Sequence, residues 1–302
     1  MRVGRLWNTG WLLLSLASLF WAGNAVVGRG ASELIPPIGL AFWRWVLATI
    51  ALLPLAWPHV KRDWPVLVKA WPLVALLAFL GLAGFNAIFY TALHSTTAIN
   101  SVLLQSATPP LILLFSFFLF RERVGLNQIA GLVVAIAGVI EIVTEGRPLS
   151  VLQLRLNIGD ALVLVCVAFY ALYSALLRKK PAVHPLSFLF GTFVASVVML
   201  LPPYVLEHLS GEVVEPTPPV LLALGYVALF PSILAYLFFN RGVELMGANR
   251  AGQFVHLMPG FGALLSVMFL GEALRPFHGV GMALILGGIV LSSMGPKKVV
   301  EP

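Results

Sequence analysis

The amino-acid sequence predicts an all-α integral membrane protein: ten transmembrane helices in two inverted five-helix repeats, with the N and C termini cytoplasmic. Three observations lead there. Of 302 residues, 60% are hydrophobic and only 10% charged, with a mean hydropathy of +0.96, whereas soluble domains carry about a quarter charged residues. Ten apolar segments reach the roughly 20 residues that a bilayer crossing needs. Lys and Arg gather in every second connection, and the chain matches itself about 150 residues apart.

The ten segments lie near 11–29, 38–57, 71–92, 97–119, 126–144, 158–177, 186–206, 219–240, 249–270 and 277–294. The first follows Arg2 and Arg5 and has the look of a signal peptide. Nine further segments follow and those arginines are needed inside, so it reads as an uncleaved first helix. The second ends at the Pro- and charge-bearing "WPHVKRDWP". "FRERVG" separates the fourth from the fifth, "LRKKPAVHP" the sixth from the seventh, and "LEHLSGEVVEPTPP" the seventh from the eighth.

With the N-terminus inside, the inner connections hold fourteen of the 19 Lys and Arg residues, among them Lys61, Arg62, Arg178 and Lys179. The outer ones hold Arg29, Arg147, Arg155 and Arg275, and Arg44 lies within a span. This asymmetry orients the chain. It also accounts for the net charge of +7, so no nucleic-acid partner is expected. Cys166 is the single cysteine, which leaves metal and redox chemistry without a basis; no cofactor is expected.

Residues 98–140 align with 248–290 at a constant offset of 150, bringing Pro109 onto Pro259, Glu122 onto Glu272, Gly131 onto Gly281 and Gly138 onto Gly288. At an offset of 149, "FWAGN" (20–24) falls on "FYALY" (169–173). A duplication follows, with repeats over 1–148 and 156–295. Five spans per repeat is an odd number, so the second repeat enters the membrane upside down.

Within "LLQSATPPLILLFSFFLF" (103–120), Pro109 and Pro110 have no N–H to give to the carbonyls of Gln105 and Ser106. Freed carbonyls are tolerated where they face protein or a watery cavity. Pro259 frees the carbonyl of Val255 in the same way, beside Gln253 and His256. A substrate cavity is therefore expected between spans four and nine, with Pro109, Pro110 and Pro259 as hinge candidates. Helix bending for packing alone is the competing reading.

Polar residues on helical spacing extend the candidate cavity. Asn86, Tyr90 and His94 share one face of span three; Asn86 aligns with Tyr236 and Tyr90 with Asn240. Trp21 and Asn24 of span one align with Tyr170 and Tyr173 of span six. Tyr90, His94 and Asn240 lie near span ends, where an interfacial role competes. The expected lining is Trp21, Asn24, Arg44, Asn86, Tyr90, His94, Gln105, Ser106, Tyr173, Tyr236, Gln253 and His256. Arg44 has two readings: pairing with Glu141 or Asp160, or gripping a substrate carboxylate.

No acid occurs in the middle of any span, which argues against proton-driven export of permanent cations and for a neutral or zwitterionic substrate with an apolar side chain. Glu122 and Glu272, at span ends, suit interaction with the N-terminal end of a following helix. Neither paired acids nor HExxH nor a GxSxG triad supports an enzyme. A channel lacks its usual filter or charged ring here.

The segments "TPPLILLFSFFLFRERVGLNQIAGLVVAIAGVI" and "LMPGFGALLSVMFLGEALRPFHGVGMALILGGIV" each run from Pro through an apolar helix and Glu to a Gly-rich helix. In this the chain resembles the EamA form of the drug/metabolite transporter superfamily, from about Trp11 to Met294, and most of all its YddG-type branch of amino-acid and aromatic-metabolite exporters. The resemblance implies that spans one to four and six to nine enclose the cavity while five and ten support them from outside, where Gly131, Gly138, Gly281 and Gly288 suit close packing. It implies export of amino acids, aromatic and hydrophobic ones favoured, across a bacterial inner membrane. The expected partners are that small molecule, the lipid bilayer and protons as a candidate coupling ion, through His256 or His94.

Overall fold

The structure is a computed structural model and describes residues 7–121, 125–147, 157–247, 251 and 254–293. Helices account for all the regular structure among them: α1 Gly10–Gly30, α2 Pro37–Lys69, α3 Trp71–Leu93, α4 Ala98–Gln105, α5 Thr108–Phe120, α6 Leu126–Val143, α7 Ile158–Leu176, α8 Pro185–Leu209, α9 Pro218–Met246, α10 Leu257–Leu270 and α11 Pro276–Ser293. Seven are long and apolar enough to cross a membrane, or eight if the bent pair α4–α5 forms one span, while α10 and α11 are apolar but shorter. Arg2, Arg5, Glu122, Arg155 and Gln253 lie outside the described residues.

The second segment was expected to stop at residue 57; α2 instead runs on to Lys69 through Pro54, Pro58 and Pro65. Each proline forfeits one backbone bond, but the extension remains amphipathic, with Val60 and Leu67 buried and Asp63 between them. Asp63 accepts hydrogen bonds from His184 N and Ser187 Oγ, each at 2.8 Å, where α8 begins. Near the far end of α8, Glu207 accepts from Ile38 N (3.0 Å) and Gly39 N (2.6 Å), where α2 begins. The two helices therefore run antiparallel, each end holding the exposed amides of the other.

Helices α6 and α11 form another antiparallel pair. A Cβ on Gly131 would lie 2.4 Å from Gly288 O, and one on Gly138 would lie 2.6 Å from Gly281 O. Only glycine permits this backbone approach, the packing mode that membrane helices use in place of a hydrophobic driving force. The four glycines anticipated for close packing thus meet one another.

Glu272 was expected to address the helix that follows it. Its carboxylate instead accepts from Ala98 N (2.8 Å) and Ile99 N (2.9 Å), capping α4 from the other half of the chain. The helix after Glu272 starts with Pro276, which has no N–H to offer, and His278 Nδ1 serves Arg275 N there.

The irregularities recur at the repeat spacing. The α4–α5 pair bends by 40° just ahead of Pro109, and the turn at Val255–His256 comes just ahead of Pro259. Turns of π-helix interrupt α3 at Phe79–Ala83 and α9 at Phe230–Leu234. Such turns are rare and cluster at functional sites. All four border the same interior space.

Candidate substrate cavity

That space is a cavity of about 470 Å3. Its lining comes from both halves of the chain, often in matched pairs: Trp21 with Tyr170 at the 149 offset and, at 150, Gly81 with Pro231, Asn86 with Tyr236, Gln105 with Val255, Ser106 with His256, Thr108 with Met258 and Pro109 with Pro259. No Asp or Glu is among the described lining residues.

The bends deliver polar groups to this wall without orphaning the backbone. Thr108 Oγ1 donates to the Gln105 carbonyl that Pro109 frees, at 2.6 Å. The Val255 carbonyl that Pro259 frees accepts from Met258 N at 3.0 Å, and the neighbouring Phe254 carbonyl accepts from Ser18 Oγ at 2.7 Å. These local partners replace the lost helical bonds.

Rings of Trp21, Trp45, Phe85, Tyr170, Tyr236 and Phe239 also line the cavity. Trp21 meets Tyr236 edge-on at 5.8 Å and Phe239 at 5.5 Å. Its indole N–H donates to the Pro231 carbonyl in the π-turn at 3.2 Å. Such walls suit a flat or branched apolar group.

Among the described lining residues the one that carries a fixed charge is Arg44, 5% exposed. Its Nη1 donates to Asn24 Oδ1, Asn86 Oδ1 and Tyr90 OH, each at 2.8 Å, and its Nε to Ser232 Oγ at 2.8 Å. Tyr90 OH donates in turn to Asn24 Oδ1, and Asn86 Nδ2 to Leu82 O. The guanidinium also lies 4.7 Å over the Trp45 ring. Every partner is neutral.

The expected pairing of Arg44 with Glu141 or Asp160 is therefore wrong. Asp160, buried in the first turn of α7, accepts instead from Thr96 Oγ1 and from Asn100 Nδ2, whose Oδ1 lies 3.0 Å from His278 Nε2. Short polar partners from the α3–α4 turn (Thr96) and the first turn of α4 (Asn100) satisfy it first.

Of the predicted lining, Trp21, Asn24, Arg44, Asn86, Gln105, Ser106, Tyr236 and His256 come together around the cavity with Pro109 and Pro259. Tyr90 stands behind Arg44 as its support. His94 is exposed past the end of α3, because one further turn carries it out of the helix bundle. Tyr173 is spent on packing, its ring against Gly81 in a cluster with Leu77, Leu80 and Phe188. Pro110 is buried away from the cavity.

Sequence reasoning missed Trp45, Phe85, Phe239 and Ser232 as members of the site. Phe239 had a signal, three residues beyond Tyr236 on the same helical face. Ser232 had none, since its aim depends on the π-turn: its hydroxyl donates to Val227 O five residues back and receives Arg44.

The model of the EamA-like transporter family matches residues 8–144 and again 157–294. The chain belongs to that family. Among curated proteins it is similar to the uncharacterized transporter YetK of Bacillus subtilis, 28% identical over 94% of this chain and 87% of that protein. It is similar to an uncharacterized transporter of Archaeoglobus fulgidus, 27% identical over 93% of this chain and 96% of the relative. The uncharacterized inner membrane transporter YicL of Salmonella typhimurium is 24% identical over 96% of each. A solved crystal structure shares the fold with a TM-score of 0.65 at 21% identity, over 97% of this chain and 99% of the other. As an EamA-like transporter, the chain is a multi-pass membrane protein that carries a small molecule through a lipid environment.

Proposed function

We propose that this EamA-like transporter is a ten-span secondary carrier that exports amino acids, aromatic and hydrophobic ones favoured, and related small metabolites by alternating access. The observation that carries the reading is the cavity lined by repeat-related pairs. It is bordered by both proline bends and both π-turns, at positions where two arrangements of the same helices can exchange. The antiparallel runs of α2 with α8 and α6 with α11 support two inverted repeats, 1–148 and 156–295, and the Lys/Arg bias favours cytoplasmic termini. The inner membrane of a bacterium suits the positive-inside bias and the relative YicL.

The apolar and aromatic walls with a few amides and hydroxyls fit a substrate with a large apolar side chain. Export of organic cations is the weaker reading, because the only charge among the described lining residues is positive. His256 lines the cavity and is the candidate for proton coupling; His94 does not line it.

Uptake of radiolabelled phenylalanine into proteoliposomes, with and without a pH gradient, tests the reading. Saturable uptake competed by large apolar amino acids supports it. Flux of a sugar or an organic cation while every amino acid fails overturns the substrate assignment, and a unitary conductance overturns the carrier mechanism.

A further inference from the structure

We infer that Arg44 forms a carboxylate-binding subsite and that the described lining offers no acidic counterpart for an ammonium group, so that apolar monocarboxylates bind at least as well as the amino acids they resemble. This rests on the transporter reading and specifies which end of the substrate is recognised.

A buried guanidinium is costly to desolvate and is ordinarily matched by an anion. Among the described residues Arg44 has no ion-pair partner; its Nε and Nη1 are held by Ser232, Asn24, Asn86 and Tyr90. Those bonds fix the position of the group and leave its charge unneutralised. Nη2 has no protein partner among the described residues, although Arg44 lines the cavity. A carboxylate there gains charge-assisted hydrogen bonds and supplies the missing charge.

The repeat makes the placement specific. Much of the lining is duplicated between the two halves, but the residues of α8 near the repeat spacing from Arg44, Thr192 and Phe193, are both buried and uncharged. Among the described lining residues the positive charge therefore sits on one wall. A carboxylate at that wall directs the rest of the molecule toward Trp21, Tyr170 and Tyr236.

An ammonium group meets the opposite situation. Arg44 repels it in a region of low dielectric, no described lining residue is acidic, and Asn24 Oδ1 and Asn86 Oδ1 are already committed to the guanidinium. Among the described lining residues only neutral groups remain for it.

The test is ligand-dependent thermal stability of the purified full-length protein with four probes: 3-phenylpropionate, phenylalanine, 3-phenylpropionamide and phenethylamine. The two carboxylates should stabilise the protein, 3-phenylpropionate at least as strongly as phenylalanine, while the amide and the amine bind at least about tenfold more weakly. Arg44→Gln should abolish the carboxylate preference and Arg44→Lys should retain part of it. If either variant fails to fold, the four probes on the unmodified protein still decide. Equal stabilisation by amide and acid, stronger binding of the amine, or no response to either carboxylate overturns the inference. Carboxylate-selective binding without flux of any compound in proteoliposomes overturns the transporter reading and leaves the subsite standing. Saturable amino-acid flux that the amide inhibits as well as the acid does the reverse.

Discussion

Arg44 on α2 and Ser232 in the π-turn of α9 are joined by a 2.8 Å hydrogen bond from Nε to Oγ, which ties the two halves of the chain together beside the cavity. The same hydroxyl donates to the Val227 carbonyl at 2.7 Å. Ser232→Ala removes both bonds and leaves a buried cationic donor without a partner, a loss of about 1–3 kcal/mol. The thermal midpoint in detergent should drop well below that of Ser174→Ala, whose hydroxyl serves only its own helix through Tyr170 O.

The α6–α11 contact predicts a sharp contrast among glycines. Gly131→Leu and Gly138→Leu drive side-chain atoms into the backbone of α11, where even a Cβ comes within 2.4 and 2.6 Å of a carbonyl oxygen. Both variants should lose the monodisperse folded species on size-exclusion chromatography. Gly287→Leu, on the same α11, should keep it, because a Cβ there meets nothing within 4 Å.

The bend ahead of Pro109 predicts a change in rate. Pro109→Ala restores an N–H able to reach the Gln105 carbonyl that Thr108 now satisfies, which favours a straighter helix. Maximal flux in proteoliposomes should fall several-fold while the thermal midpoint holds or rises.

The contact between α2 and α8 predicts a pH dependence. His184 caps α8 by accepting from Leu186 N at 3.2 Å and stacks on His59 at 3.6 Å, beside Arg62 and Asp63. Partial burial, then His59 and Arg62, hold its imidazole below the ordinary histidine value of 6.5, against a smaller opposing pull from Asp63. The unfolded chain therefore takes up the proton more readily than the folded one. The stability this group contributes is complete above about pH 6.5 and is lost as pH falls through the lowered value. His184→Asn keeps a capping acceptor without a titrating group and should flatten the thermal midpoint between about pH 7 and 5.

Much of this was legible in the sequence, for identifiable reasons. Apolar length and the missing charge marked the helices. Pro109 and Pro259 marked the bends, because proline acts through its own backbone. The repeat offsets named residue pairs that line one cavity. What could not be read depended on tertiary geometry. The prolines and charges of "WPHVKRDWP" read as a break, whereas Asp63 anchors that turn to α8; of the two readings of Arg44, pairing with an acid fails because Thr96 and Asn100 hold Asp160. The π-turns, which aim Ser232 and open the wall at Gly81, carry no pattern of their own.

A carrier of the proposed kind opens this cavity alternately to the two sides of the membrane. The direct measurement is labelling of Ser106→Cys, in a Cys166→Ser background, by a membrane-impermeant maleimide applied separately to each face of oriented vesicles. Labelling is expected from both faces, with a saturating substrate lowering both rates. Labelling from one face only, whatever substrate is present, would contradict alternating access.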